Sequence, residues 1–188
     1  REKAKSLRSK SMCTRFYVEQ IPFQNLITRA HKLQLSDGMM RHLGKPLTMS
    51  GELRPTDVAA VLAPNKEGKP AVFPMIWGFT HPAVTAPVFN CRIENADIKD
   101  LWKDSWYRRR CVIPCSWYFE WEHFKREDGK KVTGQKYMMQ LKNEESTLLA
   151  GLYRFEERGG LQAPVFSVIT REAVGDLRKI HDRMPLVL

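Results

Sequence analysis

The pair Met12-Cys13 concentrates more chemistry than any other two residues of this chain. A start at Met12, followed by removal of the methionine, makes Cys13 the first residue, with a free α-amine and a thiol on adjacent carbons. Such a 1,2-aminothiol traps aldehydes. The amine condenses to an imine, and the thiol adds across it to close a thiazolidine ring. An α-amine titrates at about 7.7–8.0, so a useful fraction is uncharged near neutral pH. With residues 1–12 attached, the same nitrogen is an amide and no ring can close. Either Met12 is the start, or a leader is cleaved, or the chain lacks this chemistry. An ordinary internal cysteine is simply a small buried side chain.

Two further residues have acid–base potential. Glu120 sits in the apolar run Ser116-Trp117-Tyr118-Phe119-Glu120-Trp121. A carboxylate there is either buried against a partner that offsets its desolvation or exposed on a strand edge, and the run alone fits both. His181 is a residue type that both holds and yields a proton near neutral pH. Its neighbours Asp182 and Arg183 also fit a solvated loop. Arg54 and Asp57 read as a structural pair. Cys13, Cys91, Cys111 and Cys115 form no CxxC motif, and Cys111 and Cys115 flank a proline. That spacing suits neither a zinc knuckle nor a secreted disulfide framework, so no metal is expected and a reducing intracellular compartment is; no cofactor is expected either, because amine, thiol, acid and histidine complete the chemistry.

The elements that would position these residues follow from patterning. Leu26, Ile27, Ala30 and Leu33 recur at helical spacing, which predicts a first helix after Pro22. Ser36 is placed to cap a second helix ending near Gly44. Ile98, Leu101 and Trp102 mark a third apolar helix face, and residues 173–180 a short helix leading to His181. Strands are expected over 58–63, 71–77, 110–113, 116–122, 135–141, 147–153 and 165–170, with a hairpin turn at Asp128-Gly129. Strands that follow one another directly predict an α+β fold. The expected form is a single domain around a mainly antiparallel β-sheet or barrel-like core with flanking helices.

Composition sets the outer bounds. The chain has 188 residues, 43% of them hydrophobic, and no apolar run approaches the roughly 20 residues a spanning helix needs. Lys and Arg total 31 against 21 acids, a net charge of +10 that favours a polyanionic partner. The segment Arg1–Ser11 holds five basic residues and one acid, so a basic body remains when it is set aside. It reads as a basic leader or non-native extension, with residues 12–188 as the domain. The apolar end Leu186-Val187-Leu188 suggests that a C-terminal portion is missing.

Seven short stretches then appear in order: residues 12–16 (MCTRF), 54–58 (RPTDV), 77–79 (WGF), 90–94 (NCRIE), 109–114 (RRCVIP), 119–121 (FEW) and 180–185 (IHDRMP). Together they resemble the SOS-response-associated peptidase (SRAP) family of abasic-site-processing proteins, over Met12 to Leu188. The resemblance implies a monomeric protein that binds single-stranded DNA and crosslinks abasic sites through its N-terminal cysteine, shielding the lesion. The cysteine is exposed by possible self-cleavage. Cys13, Asn90, Glu120 and His181 match the catalytic positions. The expected DNA-binding set is Arg15, Trp77, Arg92, Thr170 and Arg183. In this scheme His181 opens the sugar hemiacetal, Glu120 moves protons at the amine, and Asn90 holds amine and sugar. Arg15 and Arg92 suit phosphates, and Trp77 a base face.

The expected location is the bacterial cytoplasm with the nucleoid, or the eukaryotic nucleus, with no membrane. A cysteine peptidase acting on proteins through Cys13 and His181, or a passive single-strand-binding module, are the alternative readings. The chain departs from the family pattern at Thr14, where glycine is usual after the cysteine, and at Trp117, where another glycine is usual. Residues 30–53 also lack the family's usual loop.

Overall fold

A computed structural model of the chain describes residues 14–188, apart from the side chains of Lys125 and Lys131. The expected α+β architecture is the one it adopts. Five strands close into a mixed barrel: β3 (Val58–Pro64), β4 (Pro70–Trp77), β8 (Arg110–Cys115), β11 (Thr147–Arg158) and β12 (Leu161–Glu172). Neighbours run in the order β11-β8-β3-β4-β12, and β12 returns to β11 through a long antiparallel register from Gly151↔Val168 to Arg158↔Leu161. β4 and β12 are parallel, Val165 opposite Ile76; the other barrel pairs are antiparallel. Their inward residues make the core, with Val61, Met75, Ile113, Leu149 and Phe166 almost wholly buried. Closure removes sheet edges, so the barrel is a rigid body on which loops and short strands can be mounted.

Three helices flank it: α1 (Gln20–His31), α2 (Gln34–Leu43) and α3 (Asp100–Arg108). Their boundaries correct three sequence expectations. α1 begins before Pro22, which occupies its first turn, where a missing N–H costs no helical hydrogen bond. Ser36 lies inside α2 instead of capping it, and its hydroxyl donates to the Ala30 carbonyl at 2.7 Å, joining the two helices. Ile98 precedes α3 and is 68% exposed, leaving Trp102 as the buried anchor. Gly44 does end α2, in the left-handed conformation that favours glycine.

A second sheet leans on the barrel, ordered β10-β9-β1-β2. It comprises β1 (Arg15–Val18), β2 (Gly51–Leu53), β9 (Trp117–Lys125) and β10 (Lys131–Met139). β8 runs almost directly into β9, and the Ser116 N–H donates to the Tyr17 carbonyl at 2.8 Å, fixing β1 beside β9 at that corner. The hairpin at Asp128-Gly129 joins β9 to β10 as the turn signal predicts, with Gly129 at φ +76°.

Four short strands were too brief for periodicity to reveal. β5 (Phe79–His81) and β6 (Val84–Val88) form a hairpin that leads into β7 (Asn90–Arg92), which runs parallel to the end of β12. β13 (Arg183–Pro185) pairs with β12 on its other edge. Glu156 of β11 clamps the hairpin. It accepts from the Thr80 N–H at 2.9 Å and the Thr80 hydroxyl at 3.0 Å, and is bracketed by Arg154 and Arg158. The predicted helix before His181 is a 3-10 turn over Gly175–Lys179.

Candidate functional site

Glu120 is 4% exposed, so of its two readings the buried one holds. β9 turns it inward with Tyr118, and it lines a small recess with Tyr118, Met139, Ile180, His181 and Met184. The acid and the imidazole, 61 positions apart in sequence, thus share one lining. The meeting is built by backbone: the His123 N–H of β9 donates to the Ile180 carbonyl at 3.1 Å, drawing the segment before His181 against the strand that carries Glu120. A second recess beneath α1 is lined by Val18, Phe23, Ile27, Leu53 and others, none of them titratable.

His181 is held by its own neighbours. Its Nδ1 accepts the Arg183 N–H at 2.9 Å, while Asp182 Oδ1 lies 3.0 Å from the same nitrogen. A neutral ring with bare Nδ1 satisfies the first contact, and a protonated Nδ1 donates to the carboxylate in the second. Both charge states therefore have a local partner, which suits a group that gains and gives protons.

Arg183 lines the same recess as this histidine. Its guanidinium forks onto Glu94, with Nη1 at 2.5 Å from Oε1 and Nη2 at 2.8 Å from Oε2, and Nη2 also donates to the Thr170 carbonyl at 2.8 Å. The Arg183 hydrogen bond and charge hold the Glu94 carboxyl below its usual range. Thr170 is buried, its hydroxyl donating to the Cys91 carbonyl at 3.3 Å. These two expected DNA-binding residues are placed as an interior brace between β7, β12 and β13. Arg92, by contrast, is exposed on β7 opposite Thr170.

The contrast gives a prediction. Arg183→Ala is expected to lower stability by about 1–3 kcal/mol, because it removes a buried guanidinium that satisfies the buried Thr170 carbonyl and pairs with the half-exposed Glu94. Arg92→Ala should change thermal unfolding little. The contribution of the Arg183–Glu94 pair is fully present above the ordinary Glu94 value of 4.5 and is lost as pH falls through the lowered folded value. Thermal melts of both variants at neutral and acid pH check this. Equal melting temperatures for the two at neutral pH would remove the brace.

Asn90 is half-buried at the start of β7, pairing with Val168. The residue before it is anchored twice, since the Phe89 carbonyl accepts from the Val168 N–H at 3.0 Å and from the Trp77 indole N–H at 3.1 Å. Trp77 itself is fully buried, with its ring centroid 4.8 Å from Phe16 and stacked 6.0 Å from Phe166. It offers no exposed face to a base.

Arg15 opens β1 opposite Phe119 and pairs with Glu52 at 3.0 Å. Lys136 of β10 also reaches Glu52, at 2.7 Å, and its ammonium lies 3.8 Å from the centre of the Phe119 ring. Burial disfavours charge on Glu52, but Lys136, with Arg15 and Arg54, outweighs it and holds the carboxyl below its usual range. Tyr17 and Trp117 stack at 4.6 Å beside this cluster. Sequence reading passed over Lys136 and the aromatic row, which only the β9–β10 register brings together; alternation along residues 117–121 was the available signal.

Cys13 lies outside the described residues. The other three cysteines are buried, and burial pushes all three thiols up, Cys91 to about 12. Thiols held that far from the thiolate are poor nucleophiles. Among the described residues no group of three or more His, Cys, Asp or Glu is placed to hold a metal ion, and no helix is long and apolar enough to cross a membrane.

A closed mixed barrel that carries an acid and an imidazole in one buried recess is the frame of the site. Residues 12–188 match the SOS response associated peptidase (SRAP) family, and the chain belongs to it. It is similar to an abasic site processing protein of Saccharomyces cerevisiae, 31% identical over 147 residues, covering 74% of this chain and 37% of that protein. A second, from Escherichia coli, is 30% identical over 117 residues, covering 61% of this chain and 50% of that protein. The chain thus spans at most half the length of either. A solved structure from Bacteroides thetaiotaomicron shares the fold at TM-score 0.65 and 18% identity, covering 94% of this chain and 77% of that one. One from Bordetella bronchiseptica does so at 0.64 and 17%, covering 94% and 83%.

Proposed function

We propose that this chain processes abasic sites in single-stranded DNA by forming a thiazolidine between the lesion's aldehyde and Cys13. The observation that carries the reading is the shared recess of Glu120 and His181, in a protein whose relatives are named for abasic site processing. Arg15, two residues after Cys13 in sequence, pairs with Phe119, the neighbour of Glu120 on β9. The three buried cysteines are unsuited to attack, which leaves Cys13 as the nucleophile.

The steps balance without a cofactor. His181 protonates the ring oxygen of the closed sugar as the anomeric hydroxyl gives up its proton to solvent, so the carbon–oxygen ring bond breaks and the aldehyde is freed. The Cys13 amine adds to it, and the carbinolamine loses one water to give the imine. The thiol then adds across the carbon–nitrogen double bond, its proton passing to nitrogen. Glu120 takes and returns the protons shed by the amine. Asn90 orients amine and sugar. The exposed Arg92, with Arg15 and Lys136 beside the aromatic row, provides cations and ring faces for a single strand.

Single-turnover crosslinking and equilibrium binding, measured in parallel, test the division of labour. Glu120→Gln should keep affinity within about twofold and slow adduct formation by about 10²-fold or more, the usual worth of a proton-transfer group. His181→Ala should slow ring opening, and an aldehyde that lacks the closed sugar should partly rescue it. Normal crosslinking by Glu120→Gln would return Glu120 to a structural role.

A further inference from the structure

One titratable side chain outside the family's motif positions touches this site. His123, three residues beyond Glu120 on β9, places its ring centroid 4.7 Å from that of His181, with the planes tilted by 58°. The two rings differ in surroundings: the His181 side chain is 2% exposed, whereas His123 faces solvent. The hydrogen bond from the His123 N–H to the Ile180 carbonyl fixes the approach through backbone, so it does not depend on a loose side chain.

We infer that His123 is a second imidazole of the site: the charge carried at this exposed position sets how readily the buried His181 holds a proton. The inference rests on reading His181 as the proton donor. Two imidazolium rings this close repel each other, and repulsion across a partly buried gap is screened far less than in bulk water. The other groups facing His181 are Asp182 beside it, Glu120 and Tyr118 across the recess on β9, and Arg183 on β13. The carboxylates favour a charged ring; Arg183 opposes it but is itself balanced by Glu94. His123 faces His181 from β9, so a charge there acts on the buried ring directly. A positive charge there weakens the hold of His181 on its proton and so makes His181 the stronger acid.

The test titrates both rings by NMR in DNA-free protein, for the parent chain, His123→Gln and His123→Arg. Glutamine removes the charge and arginine makes it permanent. The His181 midpoint should rise by about half to one pH unit in His123→Gln and fall by a similar step in His123→Arg. The pH limb of crosslinking should move in the same two directions. Both substitutions keep a polar, exposed side chain, and far-UV circular dichroism checks that the fold is retained. A His181 midpoint unmoved by either variant, or shifted the same way by both, overturns the inference whatever the crosslinking shows. Opposite shifts with no adduct from any protein bearing a free Cys13 uphold the pairing and overturn the crosslinking function instead.

Discussion

Protein that begins at Cys13 is expected to form an adduct with abasic single-stranded DNA that survives heating in denaturant, and the chain with residues 1–12 attached is expected to form none. The difference should be all or nothing, because the imine requires a primary amine and an amide nitrogen does not condense. Affinity for the same DNA should fall far less, since Arg15, Arg92 and Lys136 are present in both forms. Cys13→Ser, presented as the first residue, keeps the amine but closes an oxazolidine that hydrolyses more readily, so its adduct should be lost on heating. A denaturing gel and intact mass measure all three. An adduct on the uncleaved chain, or equal heat stability from the serine variant, would end the thiazolidine mechanism. An N-terminally acetylated Cys13 separates this reading from a thiol peptidase, which needs the sulfur and not the amine.

How much of this arrangement was legible in the sequence depended on length and on partners. Long strands announced themselves: 58–63, 71–77 and 147–153 sit inside β3, β4 and β11, because each is buried on the barrel face over many residues. β7 and β13 have three residues each, too few to show a period, and both form because β12 offers them an edge. They carry Asn90, Arg92 and Arg183, so the part of the site least visible to patterning is the part that strand pairing assembles. Glu120 could not be resolved between buried and exposed from its run of aromatics, since the segment that covers it lies some 60 positions away in sequence. His123 had no signal at all. Its significance comes from one backbone hydrogen bond to Ile180.

Trp77 is where the two kinds of reading diverge most, and it gives the second large expected effect. Trp77→Ala should destabilise the fold by about 3–5 kcal/mol, the usual range for deleting a buried large aromatic. At this chain length that lowers the melting temperature by roughly 6–20 °C. The size follows from what the ring touches: it packs on Phe16 of β1 and Phe166 of β12, and its indole N–H holds the Phe89 carbonyl. Its backbone adds two bonds to the Arg54–Asp57 turn, accepting from the Thr56 N–H and donating to the Asp57 carbonyl. One residue thus joins the strand that follows Cys13 to the strand that opens with Asn90. Trp77→Phe separates packing from positioning. It keeps an aromatic in the stack but lets the Phe89 carbonyl go, so it should cost less stability, about 1–3 kcal/mol. It should also slow crosslinking through Asn90 while leaving affinity for undamaged single strands unchanged. A base-stacking tryptophan would show the reverse, with affinity lost and the melting temperature kept. Trp77→Ala that melts with the parent protein and fails to bind DNA would move Trp77 from the core to the interface.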